Sequence, residues 1–348
     1  MTGMTDMAGM PGPADGRSDL VMVPARRLIE SPVDAVFALA PGDRPLVDVG
    51  ESVVVGAPIA ERLRDPRLEE VSITASADPS PGARWSRDGG VGPAGVRHTE
   101  DGGELLFTWR GKWRLATGDV PDPLEAPVAG IVRDVTPGTS ITLRATGRGI
   151  RGIIALGGPT RGRLRLAAGG SGGLRPGGLD VGLAGTILVV GTRIDAETLT
   201  RARAMGIRGV IVAGLASKER RDFLASEARQ RAALHRLPSY AVLIMDGANR
   251  RPMAGPLMEI FEMLDGREVA IVGDPPSLVF DAPELSLPLP AADFVRVRGG
   301  PLLGREGRWL GPAGLRRFDG DVHLEAGRIR LDDGTVATVA LGDLERFA

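Results

Sequence analysis

Few residues in this chain have side chains suited to catalysis or ligation, and their spacing narrows them further. There is no cysteine, which excludes disulfides, thiolate metal sites and a thiol nucleophile. Histidine occurs only at His98, His235 and His323, in three separate regions, so no His-rich metal site is expected. Of 43 basic residues only Lys112 and Lys218 are lysine, and neither closes a G-x-x-x-x-G-K-[ST] loop, so a Walker A phosphate loop is excluded. A cofactor-carrying lysine would have to be one of these two. No metal and no cofactor is expected.

One constellation could still bind or act on a small ligand. Thr192 follows the apolar run 186–191. Asp246 ends the run 240–245 and is followed by Asn249, Arg250 and Arg251. Asp274 closes the run Glu268–Gly273. If these runs are strands of one parallel sheet, the loops after them form its carboxyl edge, where open α/β sheets place ligands. Asp246 and Asp274 would then be a pair of carboxylates for acid–base work, and Asp246 with Arg250 and Arg251 a small anion site, with Asn249 and Thr192 as further ligand-binding residues. The bland reading of the same residues is a capped turn with solvated arginines. Two shorter motifs carry less. Gly147-Arg148-Gly149-Ile150-Arg151-Gly152 spells G-x-G-x-x-G, but strand sequence follows where a dinucleotide site needs a helix, so it reads as a β-turn. Gly169-Gly170-Ser171-Gly172-Gly173 spells G-x-S-x-G without the strand-to-helix flanks of a nucleophile elbow, and reads as linker.

The elements that position these residues follow from the pattern of apolar runs and breakers. Fifty glycines and 27 prolines among 348 residues disfavour long helices, since Gly costs ~1 and Pro ~3 kcal/mol inside one. Residues 1–19 read as a disordered tail without the basic and apolar regions of a signal peptide. Residues 20–167 alternate short apolar runs with turns and read as all-β, with an insert at 76–104 and a hairpin around Arg110-Gly111 that places Trp109 and Trp113 on facing strands. Residues 168–185 are Gly-rich and read as a linker. Residues 186–280 alternate four strands with three helices, with Asp195 as an N-cap, Gly206 as a stop and Ser217 opening a long helix, so a small parallel α/β domain is expected. His235 at the end of that helix complements its dipole. Residues 281–290 read as a Pro-rich linker and 291–348 as a small β-barrel with a hairpin turn at Asp332-Asp333-Gly334-Thr335. Asp319-Gly320-Asp321 lacks the further ligands of a calcium loop and reads as a turn. The fold class expected is multidomain α+β.

Two segments resemble known modules. Leu46-Val47-Asp48-Val49-Gly50-Glu51 with Val53, Gly56, Ile59 and Ala60, together with Ala126-Pro127-Val128-Ala129-Gly130-Ile131-Val132, resembles the barrel-sandwich hybrid of lipoyl and biotinyl domains and of the N-terminal part of the RnfC component of Rnf-type electron-transport complexes. The resemblance implies a β barrel-sandwich fold. The swinging-arm function does not carry over, because Lys112 lacks the flanking residues of a lipoyl or biotinyl lysine. Val295-Arg296-Val297 with Gly299-Gly300-Pro301, Gly304 and Gly307 resembles the KOW motif of SH3-like barrels in the transcription factor NusG and some ribosomal proteins. It implies an SH3-like barrel that contacts RNA or ribosomal and polymerase surfaces.

Charge and module type set the functional expectation. The net charge is −1, and residues 291–348 hold nine arginines against nine acidic residues, so binding to nucleic acid is not favoured. No run is long and apolar enough for a membrane helix, and a cytoplasmic location with no membrane insertion is expected. The leading expectation is a non-catalytic adaptor or assembly protein with a protein partner. Its interaction surfaces would be Trp109, Lys112 and Trp113 on the hairpin and Arg296, Arg298 and Arg305 on the C-terminal module. The alternatives are an enzyme or small-ligand sensor at the Asp246/Asp274 edge, and RNA or ribosome association through the KOW-like barrel.

Overall fold

A computed structural model describes residues 19–39, 43–62, 70–71, 97–98, 105–109, 112–116, 122–233 and 238–347. The expected tail up to residue 18, most of the 76–104 insert and His235 lie outside them. The protein is a strand-rich α+β chain, and its contacts divide it into two compact units. One holds residues 29–253 and 258–287; the other holds 19–28, 254–257 and 288–347 of the described chain.

The first half is built from short strands. These are β1 (Ala25–Arg26), β2 (Val33–Ala38), β3 (Arg44–Pro45), β4 (Ser52–Val53), β5 (Pro58–Arg62), β6 (Glu70–Val71), β7 (Arg97–His98), β8 (Leu105–Trp109), β9 (Lys112–Ala116), β10 (Asp122–Glu125), β11 (Gly130–Thr136) and β12 (Ser140–Ala145). Period-two burial along β2 sends Val33, Ala35 and Phe37 inward and leaves Asp34 to pair with its register partner Arg144 through two hydrogen bonds of 2.7 and 2.8 Å. The hydrogen bonds from Arg144 hold the Asp34 carboxyl below its ordinary value. Sheets β10-β5-β3 and β2-β12-β11-β4 enclose one core that includes Phe37, Ile59, Leu124, Ile141 and Leu143. Gly50 (φ +90°) and Gly56 (φ +81°) make the tight turns on either side of β4. The expected hairpin is present, with Trp109 opposite Lys112, in a separate sheet β6-β9-β8-β7.

The central sheet is larger than the sequence pattern implies. It adds β13 (Arg148–Arg151), β14 (Ile154–Gly157), β15 (Thr160–Leu166), β16 (Thr186–Val190), β17 (Gly209–Val212), β18 (Ala241–Ile244), β19 (Glu268–Gly273) and β20 (Pro276–Phe280) in the order β13-β20-β19-β15-β16-β17-β18-β14. Strands β15 to β18 are parallel; the others pair antiparallel. So residues 148–166 join this sheet rather than the N-terminal β-module, and the G-x-G-x-x-G run is edge strand β13 rather than a turn. The fourth expected parallel strand, β19, runs the opposite way because it pairs with β15. The Gly-rich stretch after β15 is likewise no open linker. It carries two 3-10 turns, Pro176–Gly178 and Val181–Leu183, and forms the crossover that a parallel β15–β16 pair requires.

Helices α1 (Ala196–Ala204) and α2 (Ser217–Ala233) cover the parallel strands, with Leu199, Ala202 and Phe223 buried against Leu188, Val190, Val210, Val242 and Ile244. Asp195 caps α1 by accepting the Thr198 N–H at 2.7 Å, and Gly206 (φ +82°) stops it. A buried ion pair, Arg203–Glu227, ties the two helices. Helix α3 (Gly255–Leu264) buries Leu257, Ile260, Phe261 and Leu264 completely. On the sheet face that carries Leu188, the outer strands β19 and β20 send Ala270, Val272 and Val279 into the N-terminal β-module core. One face thus serves two separate cores.

The other unit is a six-stranded sheet, β1-β25-β21-β22-β23-β24, with β21 (Phe294–Val297), β22 (Glu306–Phe318), β23 (Val322–Leu331), β24 (Val336–Ala340) and β25 (Leu344–Phe347). All pairs are antiparallel except β1 with β25. Its core contains Leu20, Val23, Val295, Val297, Trp309, Ile329 and Leu344. Gly327 is required because the Trp309 ring fills the space a Cβ would take. Strand β24 pairs with β23 only from Ala326 to Arg330, and β21 pairs with β22 only from Glu306 to Arg308. The rest of the hairpin, Leu315–Phe318 opposite Val322–Glu325, therefore has no third strand on either edge among the described residues.

Candidate functional site

The carboxyl edge of the parallel strands is closed by the protein's own backbone. After β16, Gly191 lies so close to the Gly169 and Gly170 carbonyls that a Cβ there would overlap them. The same is true of Gly214, after β17, against the Asn249 carbonyl. Hydrogen bonds seal this arrangement: Thr192 N–H to Gly172 O (2.7 Å), Leu174 N–H to Arg193 O (2.9 Å), Met253 N–H to Gly170 O (2.9 Å) and Thr192 Oγ1 to Gly170 O (3.3 Å). Within Gly169–Gly173 the close approach bears on Gly173, where a Cβ would meet Arg193, whereas a Cβ on Gly169 would meet open space. Replacing Gly191 by alanine is expected to cost ~1–3 kcal/mol through forced displacement of this turn. Chemical denaturation measures the loss, and an unchanged midpoint would show the contact to be slack.

The expected residues divide at this edge. Thr192, Asp246, Asn249 and Arg250 do lie there. Asp246 is buried and pairs with Arg251 at 3.2 Å, both side chains being almost fully covered, so its charge is engaged inside its own loop. Asn249 and Arg250 are exposed. Asp274 is not among them. Because β19 runs antiparallel to β15, with Ile271 opposite Thr160, Asp274 emerges at the amino end of the parallel strands, where its carbonyl accepts the Val36 N–H at 2.7 Å. The structure does not bring the two carboxylates together. Among the described residues no three His, Asp or Glu side chains are grouped to hold a metal ion.

The expected interaction residues also divide. Arg296 is fully buried, facing Glu345 at 3.3 Å and Glu306 at 3.5 Å, and so is not a surface residue. Strand β21 is covered on both faces, since Val295, Arg296 and Val297 are all buried. Arg298 and Arg305 are exposed. Arg305 pairs with Asp333, and with the Thr335 N–H this holds the Asp333 carboxyl at about 2. Trp109, Lys112 and Trp113 occupy the expected strands of the β8–β9 hairpin.

Two features escape a reading of the sequence. The projecting ribbon of β22 and β23 leaves Leu315 60%, Val322 47% and Leu324 42% exposed. Strand β15 presents Arg161, Arg163 and Arg165 outward from the middle of the eight-stranded sheet. The alternation R-G-R-L-R-L is the available signal for the second. Gly307, Gly311, Pro312 and Gly314 break up the segment that forms the first, so it carries no comparable signal.

The fold defines a strand-rich α+β protein with one central mixed sheet and smaller β-modules. Neither any protein-family model nor any curated protein matches the chain. No helix among the described residues is long and apolar enough to cross a membrane.

Proposed function

We propose that this protein is a non-catalytic adaptor or assembly protein that holds a protein partner through its β-modules. The observation that carries this reading is the β22–β23 ribbon. In Leu315–Phe318 and Val322–Glu325 it has no third strand on either edge among the described residues and exposes three large aliphatic side chains, and such edges are templates for strand addition by another chain. The strand order β25-β21-β22-β23-β24, with a 3-10 turn (Leu341–Asp343) before β25, supports the SH3-like reading of residues 291–348. The two small sheets sharing one core support the barrel-sandwich reading of the N-terminal module. The enzyme reading needs Asp246 and Asp274 at one edge, and their separation counts against it. The balanced charge of 291–348 counts against RNA.

The test is capture of a partner from nuclease-treated native lysate by the full chain and by a Leu315→Asp/Leu324→Asp variant. Both substituted positions are exposed, so the variant should melt as the wild type does. A stoichiometric partner kept by the wild type and lost by the variant is the expected result. Equal capture by both, or capture that nuclease abolishes, would overturn the reading.

A further inference from the structure

Strand β15 is an anomaly for the middle of a sheet. Interior strands whose faces are covered read as apolar on both sides. Here Gly162 and Leu164 are buried, while Arg161, Arg163 and Arg165 stand exposed on the opposite face. The register places that row. Arg161 is opposite Ala270, which belongs to the N-terminal β-module core, and Arg165 is opposite Leu188, which belongs to the helix-covered core. The three arginines therefore line the gap between two cores that share one sheet face. At ~3.3 Å per residue the row runs ~13 Å.

A cleft of 310 Å³ opens on this row. Its lining includes Arg163, Arg165, Glu268, Thr186 and the backbone of Gly182 and Gly185. The wall's own polar groups are already used: Gly182 N–H donates to Asp180, Gly185 N–H to Gly206 O and Thr186 Oγ1 to Leu183 O. The free donors are guanidinium groups. Arg161 is shared with Glu268 at 3.4 Å and Arg165 with Asp265 at 3.5 Å. The Arg163 side chain makes no ion pair or hydrogen bond among the described residues. Glu268 and Asp265 are taken up by Arg161 and Arg165, and the Asp180 carboxylate at the border of the lining holds the Gly182 N–H, so Arg163 is the guanidinium of the row that remains open to a ligand.

We infer that this cleft is an oxyanion site that takes a phosphate group between Arg163 and Arg165. Two guanidinium forks two residues apart on one strand face can converge on a tetrahedral group, each supplying paired N–H donors, whereas a carboxylate occupies only one fork. Glu268 on the same lining accepts from a hydroxyl of the molecule that bears the phosphate. The inference stands apart from the adaptor reading, since the cleft and the ribbon lie in different units.

Phosphate can come from a small molecule or from a nucleic-acid backbone, and the experiment separates the two sources. Titration calorimetry of the full chain with inorganic phosphate and with pyrophosphate at low ionic strength is compared with fluorescence anisotropy of a short oligouridylate. Each is repeated with Arg163→Ala, Arg165→Ala and, as a control at the far edge, Arg193→Ala. All three positions are exposed, and thermal melting verifies that each variant folds. The expected result is saturable pyrophosphate binding that weakens ~10–100-fold in Arg163→Ala and is unchanged in Arg193→Ala. Oligouridylate binding that depends on Arg163 and is displaced by pyrophosphate would support the same site and assign the phosphate to a polymer. No saturable binding of any probe, or binding equal in wild type and Arg163→Ala, would overturn the inference.

Discussion

Replacing Arg296 by alanine should destabilise the C-terminal unit by ~3–5 kcal/mol, because it removes a fully buried cation from beside two largely covered carboxylates. Arg296 is fully covered and lies 3.3 Å from Glu345 and 3.5 Å from Glu306. Glu306 also accepts the Gly255 N–H at 2.9 Å, so its carboxylate is fixed by two partners and cannot swing out to water without losing the second. The neighbouring Arg305→Ala should leave stability nearly unchanged, since its pair with Asp333 is open to solvent on both sides. Hydrogen exchange read by mass spectrometry distinguishes the outcomes. Arg296→Ala should lose protection in peptides from 294–347 while β16 to β18 keep theirs. Equal protection in the two variants would show that the buried pairs of Arg296 add no stability beyond that of an exposed pair.

The second large effect is expected at the helix pair. Glu227→Ala should cost ~3–5 kcal/mol, because Arg203 and Glu227 are 3% and 8% exposed and the buried guanidinium would lose the carboxylate that faces it. The informative comparison is the double replacement Arg203→Met/Glu227→Leu, which exchanges the pair for apolar volume. It should recover most of the loss, because neither charge is then left buried alone. Urea unfolding followed by circular dichroism gives both numbers. A double variant as unstable as the single one would mean that the pair contributes through geometry rather than charge balance. Tyr240 lies close by, its ring 6.0 Å from Phe223, and burial pushes its phenol well above the ordinary value. Its hydroxyl has no hydrogen-bond partner among the described residues, so Tyr240→Phe should be neutral or slightly stabilising in the same assay.

Local signals in the sequence are reliable where one residue type has one physical use. Asp195 before a periodic run is an N-cap, Gly206 after it is a stop, and the aliphatic runs at 186–190, 209–212 and 241–244 are buried strands. What cannot be read locally is partnership. The run Glu268–Gly273 is apolar whichever way it points, and its direction comes from β15, about a hundred residues earlier. That direction alone decides that Asp274 and Asp246 lie at opposite ends of the sheet. Gly327 illustrates the same limit: only the position of the Trp309 ring explains it. Gly173 and Gly191 look like slack when read along the chain, and like close fits once Arg193 and the carbonyls of Gly169 and Gly170 are set beside them. Arg296 sits in a motif that suggests a contact surface, yet its neighbours Val295 and Val297 are as buried as it is.

The pairing of β1 with β25 also bears on how the chain is made. Ala25 pairs in register with Arg346, so the sheet of the C-terminal unit needs residues from both extremes of the described chain. A ribosome adding ~5–20 residues per second leaves β1 waiting ~15–60 s for its partner strand to emerge. Throughout that interval it is an unpaired edge beside newly made strands that need neighbours. A strand of only two residues, one of them Arg26, offers little template for the wrong neighbour, and this brevity protects the nascent chain during vectorial synthesis.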